Sequence, residues 1–418
     1  MQEECLTSLL GIQGYRVSKV KQYKRGSTVV VYLERTRKDY TCGHCGAVVS
    51  GGYDHKPEEL HHLMLWQHQT ILHFDRYRVN CPKCGIKTEA VPFVNIRGPR
   101  VTCLLACMTY ELCKVTTVKA VARLFRLHRH TVKDIDKAEL QKIQSERPLD
   151  GIEVLGMDEI AVGKGHHFWT LISALVGPRG AEMLNIVEGR SEKSLKRFWR
   201  WFGKERAAEI THAVIDMCRP FENSIRTHCS QEVQIIYDKF HVLMHLNEAL
   251  NMVRKAELRR GLGRFKKSLA GKKFILLARK AHVRGHAREA LNNILAASPK
   301  LKKAHLLKES LGHLWDYSYK GSALRFWEDW KAQLKWSRLK PYHKFAEMVD
   351  RHLHGILSHC DKKVSLGYIE SSNLKARNVI RRAYGYRDKE YMKLKIIQAC
   401  TPWMAEFCPW RVTHSLSP

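Results

Sequence analysis

Between Ile152 and His241 the apolar and polar positions alternate in a way that predicts strands interleaved with helices, and the rest of the chain is arranged around this stretch. Glu153-Val154-Leu155-Gly156-Met157 is a short strand-like run that delivers Asp158 and Glu159. Two further β-rich runs, about His167 to Val176 and Ala181 to Val187, flank a Gly177-Pro178-Arg179-Gly180 turn and read as a hairpin. An amphipathic helix is predicted from about Glu192 to Arg206. Ala213-Val214-Ile215 and Gln234-Ile235-Ile236-Tyr237 are buried-strand patterns that end in Asp216 and Asp238. A carboxylate at the end of an apolar strand is a poor core residue, because an unpaired buried charge costs several kcal/mol. In an open α/β sheet the strand ends are also where ligands and metals gather. This stretch points to an enzyme.

The flanks are patterned differently. From Val101 to about Gln144 the period is helical, and Thr117 to Lys133 reads as a short helix, a turn and a second helix, with Val118, Val121, Ala122, Leu124 and Val132 as its apolar contacts. That order predicts a helix-turn-helix whose second helix carries Arg129, His130 and Lys133 towards a major groove. A basic helical hairpin inside a core is the other reading. The polar stretch Ser145 to Gly151 marks a boundary. From Val242 to Lys363 the chain is helical and basic, with the pairs Arg259-Arg260, Lys266-Lys267, Lys272-Lys273 and Lys302-Lys303. Trp315, Trp327, Trp330 and Trp336 follow these basic pairs and read as core anchors, with stacking on unpaired bases as the alternative. A last helix is predicted from Glu370 to Arg382. Glu370, Asn373 and Arg377 share its polar face at i, i+3 and i+7, and Ile369, Leu374 and Ile380 are expected on the buried side.

Charge narrows the class. Among 418 residues, 72 Lys and Arg stand against 41 Asp and Glu, a net +31 that implies a polyanionic partner, most simply nucleic acid. No apolar run reaches the roughly 18 residues of a membrane span, and no signal-peptide pattern follows the acidic start, so a cytoplasmic, nucleoid-associated protein without a membrane partner is expected. Of 13 cysteines, four fall in two matching knuckles, Cys42-Gly43-His44-Cys45-Gly46 and Cys81-Pro82-Lys83-Cys84-Gly85. Four thiolates so spaced close a tetrahedral shell around one structural Zn²⁺; two unrelated reduced pairs are the bland alternative. The knuckles lie farther apart than in an ordinary ribbon, so an inserted hairpin, strand-like from Trp66 to Arg78, is expected to fill the gap.

Together these residues resemble the bacterial insertion-sequence transposases of the ISL-three group, over nearly the whole chain. The two knuckles and the helix pair are similar to the family's zinc-binding region and helix-turn-helix. Gly156-Met157-Asp158-Glu159 and Val214-Ile215-Asp216-Met217 resemble the motifs of the first two catalytic acids, Asp238-Lys239-Phe240-His241-Val242 the stretch that follows, and Glu370-Ser371-Ser372-Asn373 with Arg377 and Gly385-Tyr386-Arg387 the final Glu motif. Ile172-Ser173-Ala174-Leu175 departs from many relatives in having no acid. The resemblance implies a multidomain α/β protein: a zinc-ribbon region (1–100), a helix-turn-helix (101–150), a ribonuclease-H-like catalytic core (151–241), an all-helical insertion (242–363), the Glu-bearing part of the core (364–400) and a tail (401–418).

It further implies DNA cleavage and strand transfer at transposon ends and target DNA, by a homodimer on DNA. Two Mg²⁺ (or Mn²⁺) ions would be held by Asp158, Asp216 and Glu370, with Asp238, His241 and Asn373 supporting them. Lys266, Lys267, Lys272, Lys273 and Arg377 are expected to grip DNA without reading it. Asp238 and Glu390 compete with Glu370 for the third position. A DNA-binding regulator on an inactive scaffold and a nuclease of the same fold remain as alternative functions.

Overall fold

The structure, a computed structural model, describes residues 2–23, 27–95, 98–163, 165, 167–382 and 385–408. Ala383 and Tyr384 of the last motif, and residues 409–418 of the expected tail, lie outside them. The chain divides into two compact units, one from the N-terminus to Pro148 plus the segment from Tyr386, the other Leu149–Gly385.

In the first unit a helix, α1 (Gln2–Leu10), leads into strands β1 (Tyr15–Tyr23), β2 (Thr28–Arg35), β3 (Tyr40–Thr41), β4 (Val48–Val49), β5 (Asp54–Leu65), β6 (His68–Cys81) and β7 (Gly85–Thr88). The main sheet runs β1-β2-β6-β5 with β7 paired to β6, and only β2 and β6 are parallel. The hairpin expected between the knuckles is β5–β6, and Trp66 stands exposed at its tip. The strands are fixed by period-2 burial: Val29, Val31 and Leu33 point inward to Leu60, Leu72 and Phe74. Three helices follow, α2 (Cys103–Val115), α3 (Val118–Phe125) and α4 (Arg129–Glu146). Thr117 caps α3 by accepting from the Ala120 amide, and Arg126 ends it in a left-handed conformation. Val121, Ala122, Phe125, Val132 and Ile135 close the helix pair. Leu124, expected among these contacts, is instead exposed, and Phe125 takes its place one position on.

The helix Lys389–Cys400, expected to continue the catalytic core, belongs to this first unit. Its Tyr391 hydroxyl and Lys395 ammonium both reach the fully buried Asp136 carboxylate of α4. That pairing explains the docking: a carboxylate with no access to water requires partners, and this helix supplies them.

The second unit opens on a five-stranded sheet, β8 (Val154–Ala161), β9 (Phe168–Val176), β10 (Glu182–Glu188), β11 (His212–Ile215) and β12 (Gln234–Tyr237). The order is β10-β9-β8-β11-β12; β10, β9 and β8 are antiparallel neighbours, whereas β8, β11 and β12 are parallel. The helix predicted to Arg206 breaks at Gly203 (φ +92) into α5 (Glu192–Phe202) and α6 (Lys204–Glu209). Then α7 (Arg219–His228) bridges β11 to β12, and α8 (Lys239–Arg260) leaves β12. Val242, Leu246, Ala249, Leu250 and Val253 line one face of α8, at the spacing of a buried helical stripe. Through that stripe the sheet and the helices up to Leu357 share one continuous core.

Trp327 and Trp330 sit inside this core, their indole N–H groups donating to Asp350 Oδ1 at 2.8 Å and to the Leu307 carbonyl at 2.9 Å. Burying each indole contributes roughly 4–6 kcal/mol of gross transfer free energy. These two are anchors; Trp336 is exposed.

Gly355 shows how tightly the helices close on the sheet. A Cβ there meets Tyr237 ring carbons at 2.6 Å and the Ile235 carbonyl at 3.2 Å. The ring cannot swing away, since it is buried and its hydroxyl donates to Glu222 Oε2 at 2.7 Å. Gly355→Ala is therefore expected to cost about 1–3 kcal/mol, seen as a lower urea midpoint at unchanged slope. Gly312→Ala, with nothing within 4 Å of the new methyl, should shift stability by less than about 0.5 kcal/mol. Equal midpoints for the two variants would refute this account of the packing.

Candidate active site

Register builds the site. Met157 of β8, Ile215 of β11 and Tyr237 of β12 stand side by side in the parallel ladder. The next residue on each strand is an aspartate: Asp158, Asp216, Asp238. Side chains alternate across a sheet, and Met157, Ile215 and Tyr237 belong to the large core. The three carboxylates therefore project from the opposite face, where Val154, Val214 and Ile236 pack against Ile369. Ile369 lies on the helix Gly367–Arg382, so the helix bearing Glu370 covers the same face.

Each aspartate has its own partners. Asp158 Oδ1 accepts from the Glu159 amide at 2.7 Å, His241 Nε2 lies 3.6 Å from the same oxygen, and Asn373 Nδ2 donates to Oδ2. Burial alone would push this carboxyl up, but His241, Asn373 and the amide outweigh it and hold it below the usual range. The Asp158 carboxylate raises His241 in return, against its own burial. Asp216 has fewer donors, the Cys218 amide at 3.1 Å among them. Burial, with the charges of Asp158 and Glu159 opposing His241, pushes its carboxyl up to about 6. Asp238 is also raised, chiefly by burial, with Asp158 and Glu370 adding to it. Its Oδ1 caps α8 by accepting from the Phe240 amide at 2.7 Å, which fixes the first turn and hence His241. The row is short of positive charge, and buried oxygen donors in that condition fit a hard divalent cation.

The expected residues are not all gathered here. Glu370 is exposed, at the rim of the row. It stands one helical turn before Asn373, and Asn373 makes the direct contact with Asp158. The carboxylate oxygens of Asp158, Asp216 and Glu370 do not all lie within 4.8 Å of one another. The buried side of this helix is Ile369, Ser372 and Ala376; Leu374, expected there, is 58% exposed, and Ile380 is half-buried. Glu390 lies in the first unit, exposed and paired to Lys393 at 2.7 Å.

Among the basic residues, Arg129, His130, Lys266, Lys267, Lys273 and Arg377 are exposed and Lys272 half-buried. Lys133, expected in a groove, is half-buried instead, 3.3 Å from Asp388 Oδ2. Asp388 caps the Lys389–Cys400 helix through the Tyr391 amide at 3.0 Å and also binds Lys137 at 2.8 Å. Against burial, these partners hold its carboxyl down to about 2. Arg190 is a neighbour the sequence did not single out: its Nη1 lies 3.1 Å from both oxygens of Glu159. Only the antiparallel register, Glu188 beside Trp169 and Trp169 beside Ile160, brings it there.

In the first unit the sulfurs of Cys42, Cys45, Cys81 and Cys84 all lie within 4.8 Å of one another, and they are the one such group of three or more ligand-type residues among the described residues. The knuckle turns need glycine at their ends, Gly46 at φ +74 and Gly85 at φ +69. At Gly43 a Cβ would meet the Thr88 carbonyl at 2.5 Å, so the first knuckle is pressed against the strand that follows the second. Four thiols in that space suit Zn²⁺, which would make the site closed and structural.

A mixed sheet with carboxylates at its parallel strand ends, joined to a four-cysteine ribbon in a strongly basic chain, defines a nucleic-acid-processing class. A family model described as "Transposase", of the ISL3 DDE type, matches residues 155–396, and the "zinc-finger of transposase IS204/IS1001/IS1096/IS1165" matches residues 39–84. The chain is 32% identical over 401 residues to the transposase for insertion sequence element IS1001 of Bordetella parapertussis, covering 95% of this chain and 98% of that one. It is 27% identical over 396 residues to the transposase for insertion sequence element IS1557 of Mycobacterium tuberculosis, covering 84% and 83%. The chain belongs to the ISL3 family of transposases, with an N-terminal zinc ribbon. No described helix is long and apolar enough to cross a membrane.

The zinc site yields a direct test. Metal analysis of the purified chain should give about one zinc per molecule. Cys42→Ser should lose it together with the cooperative melting of the first unit. A first unit that folds equally well without zinc would show the cluster to be no metal site.

Proposed function

We propose that this transposase binds the ends of an insertion sequence and cleaves and joins DNA through Asp158, Asp216 and Glu370. The observation that carries the reading is the parallel register that aligns Asp158 with Asp216 beneath the helix tethered by Asn373. The strand order β10-β9-β8-β11-β12, antiparallel then parallel, supports a ribonuclease-H-like domain interrupted by helices before its Glu-bearing helix. The tight α3–α4 pair, with Arg129 and His130 exposed at the start of α4, supports a helix-turn-helix. That the relatives are transposases for insertion sequence elements supports an insertion-sequence substrate.

Two Mg²⁺ or Mn²⁺ ions, when bound, activate the attacking oxygen and stabilise the leaving one. Asp158, Asp216 and Glu370 would hold these ions, with Asp158 and Asp216 on neighbouring parallel strands. His241 offsets the charge of Asp158, and Asn373 turns its second oxygen. Asp238 is committed to capping α8, which leaves the third ligand position to Glu370. Pairing of two DNA ends favours a homodimer on DNA, and the basic surface suits work beside the nucleoid.

The test is a cleavage and strand-transfer assay in Mg²⁺ on end-containing DNA, with binding measured in parallel. Asp158→Asn, Asp216→Asn and Glu370→Gln should each abolish cutting and joining while binding persists; Asp238→Asn should keep some activity and Glu390→Gln most of it. Near-parent cutting by Glu370→Gln with a dead Asp238→Asn would move the third position to Asp238. Cutting without joining would mark a nuclease, and binding without either a regulator. Separately, neutralising Lys266, Lys267, Lys272 and Lys273 should weaken binding to end-containing and random DNA alike and flatten its salt dependence. A loss confined to the end sequence would make these lysines readers.

A further inference from the structure

The second face of α8 borders a cavity of about 280 Å³. Lys239, Leu243 and Asn247 line it at i, i+4 and i+8, so it runs about 12 Å along the helix. His241, two residues from Lys239, is turned about 200° away from that face. One helix thus contacts the aspartate row on one side and the cavity on the other.

The walls have a definite chemistry. Leu243 and Leu277 are apolar, and Asn247, Arg279 and Lys308 are polar. The lining acids are already matched: Glu309 holds Lys308 at 2.6 Å, and Asp316 holds His313 at 2.9 Å. Lys308 is further committed to the Leu277 and Ala278 carbonyls, at 3.2 and 2.6 Å. Lys239 and Arg279 remain as cations with no ion-pair partner among the described residues. Lys239 lies over the Trp315 ring, 5.1 Å from its centroid. Asn247 Oδ1 is buried and lacks a hydrogen-bond partner among the described residues. Leaving such an acceptor unmade costs about 1–3 kcal/mol.

From these groups we infer that the cavity takes one unstacked nucleotide of the DNA. Its phosphate lies against Lys239 and Arg279, its base sits between Leu243 and Leu277, and a base N–H donates to Asn247. The inference rests on the DNA-processing reading above, and deepens it. The volume falls at the lower end of small-ligand sites, too small for a duplex and ample for one base. A nucleotide supplies in one body the anion, the flat apolar surface and the donor that the walls lack. Taking a base out of the stack costs a few kcal/mol, least where it is unpaired, so the site should favour DNA with an unpaired residue.

The experiment uses the full chain and three short duplexes: fully paired, with one unpaired adenine, and with an abasic residue in place of that adenine. The unpaired adenine should bind about fivefold or more tighter than the abasic duplex, the worth of roughly one hydrogen bond. Asn247→Leu should erase that difference. Arg279→Ala, at an exposed side chain, should weaken the adenine duplex and reduce its salt slope by about one. Equal affinities for the three duplexes in the parent overturn the inference. So does a preference that survives both variants, since it then arises elsewhere. Neither result touches the cleavage assay, so the pocket can fail while the transposase reading stands. If Asn247→Leu does not fold, Arg279→Ala decides.

Discussion

The parallel ladder of β8, β11 and β12 is the constraint on which the second unit depends. Pairing Met157 with Ile215, and Ile215 with Tyr237, leaves no freedom in where the following residues go. A slip of one residue would send the aspartates into the core and Met157, Ile215 and Tyr237 out of it. The apolar residues of the large core therefore hold the register, and the register holds the charges. Burial of the aspartates is a cost that the hydrophobic alternation sustains, with His241 and Asn373 recovering part of it at Asp158.

The helix α8 carries this constraint outward. Asp238 directly follows β12 and caps α8, so strand position sets helix position directly. The buried stripe from Val242 to Val253 then joins the helices to the sheet in one core. The long run of basic helices between Asp238 and the helix Gly367–Arg382 could have been a separate domain. Here it is packed so that Gly355 touches Tyr237, the residue before Asp238. Changes in the helices should therefore be felt at the aspartates without any contact to them.

Much of this was legible in the sequence. The cysteine knuckles were, because metal ligation imposes a spacing that no packing requirement mimics. Asp158, Asp216 and Asp238 stood out because each interrupts an apolar run. The failures have a common cause: spacing gives a helix its faces but does not say which face meets the core. Leu374 is apolar yet exposed, and Ser372 and Ala376 are buried on the opposite side beside Ile369. Phe125, and not Leu124, meets the core for the same reason. Lys133 reads as a groove contact only if Asp388, 255 residues away in sequence, is ignored. Long-range partners of that kind leave no local signature, and the same holds for Arg190 beside Glu159.

The four-cysteine cluster and the proposed metal site at the aspartate row follow opposite rules. In the ribbon, four soft sulfurs converge within 4.8 Å, a set that would fill a tetrahedral shell and leave no position for a substrate. In the row, hard carboxylates stand apart, and Glu370 is left at the rim. A closed shell would be useless for phosphoryl transfer, where oxygens of the substrate must join the coordination sphere. On the proposed reading, the loose spacing of Asp158, Asp216 and Glu370 is what such chemistry requires of a protein awaiting its substrate. The basic surface completes the logic, since a net charge of +31 favours the arrival of phosphates at a cluster of acids that would otherwise repel them.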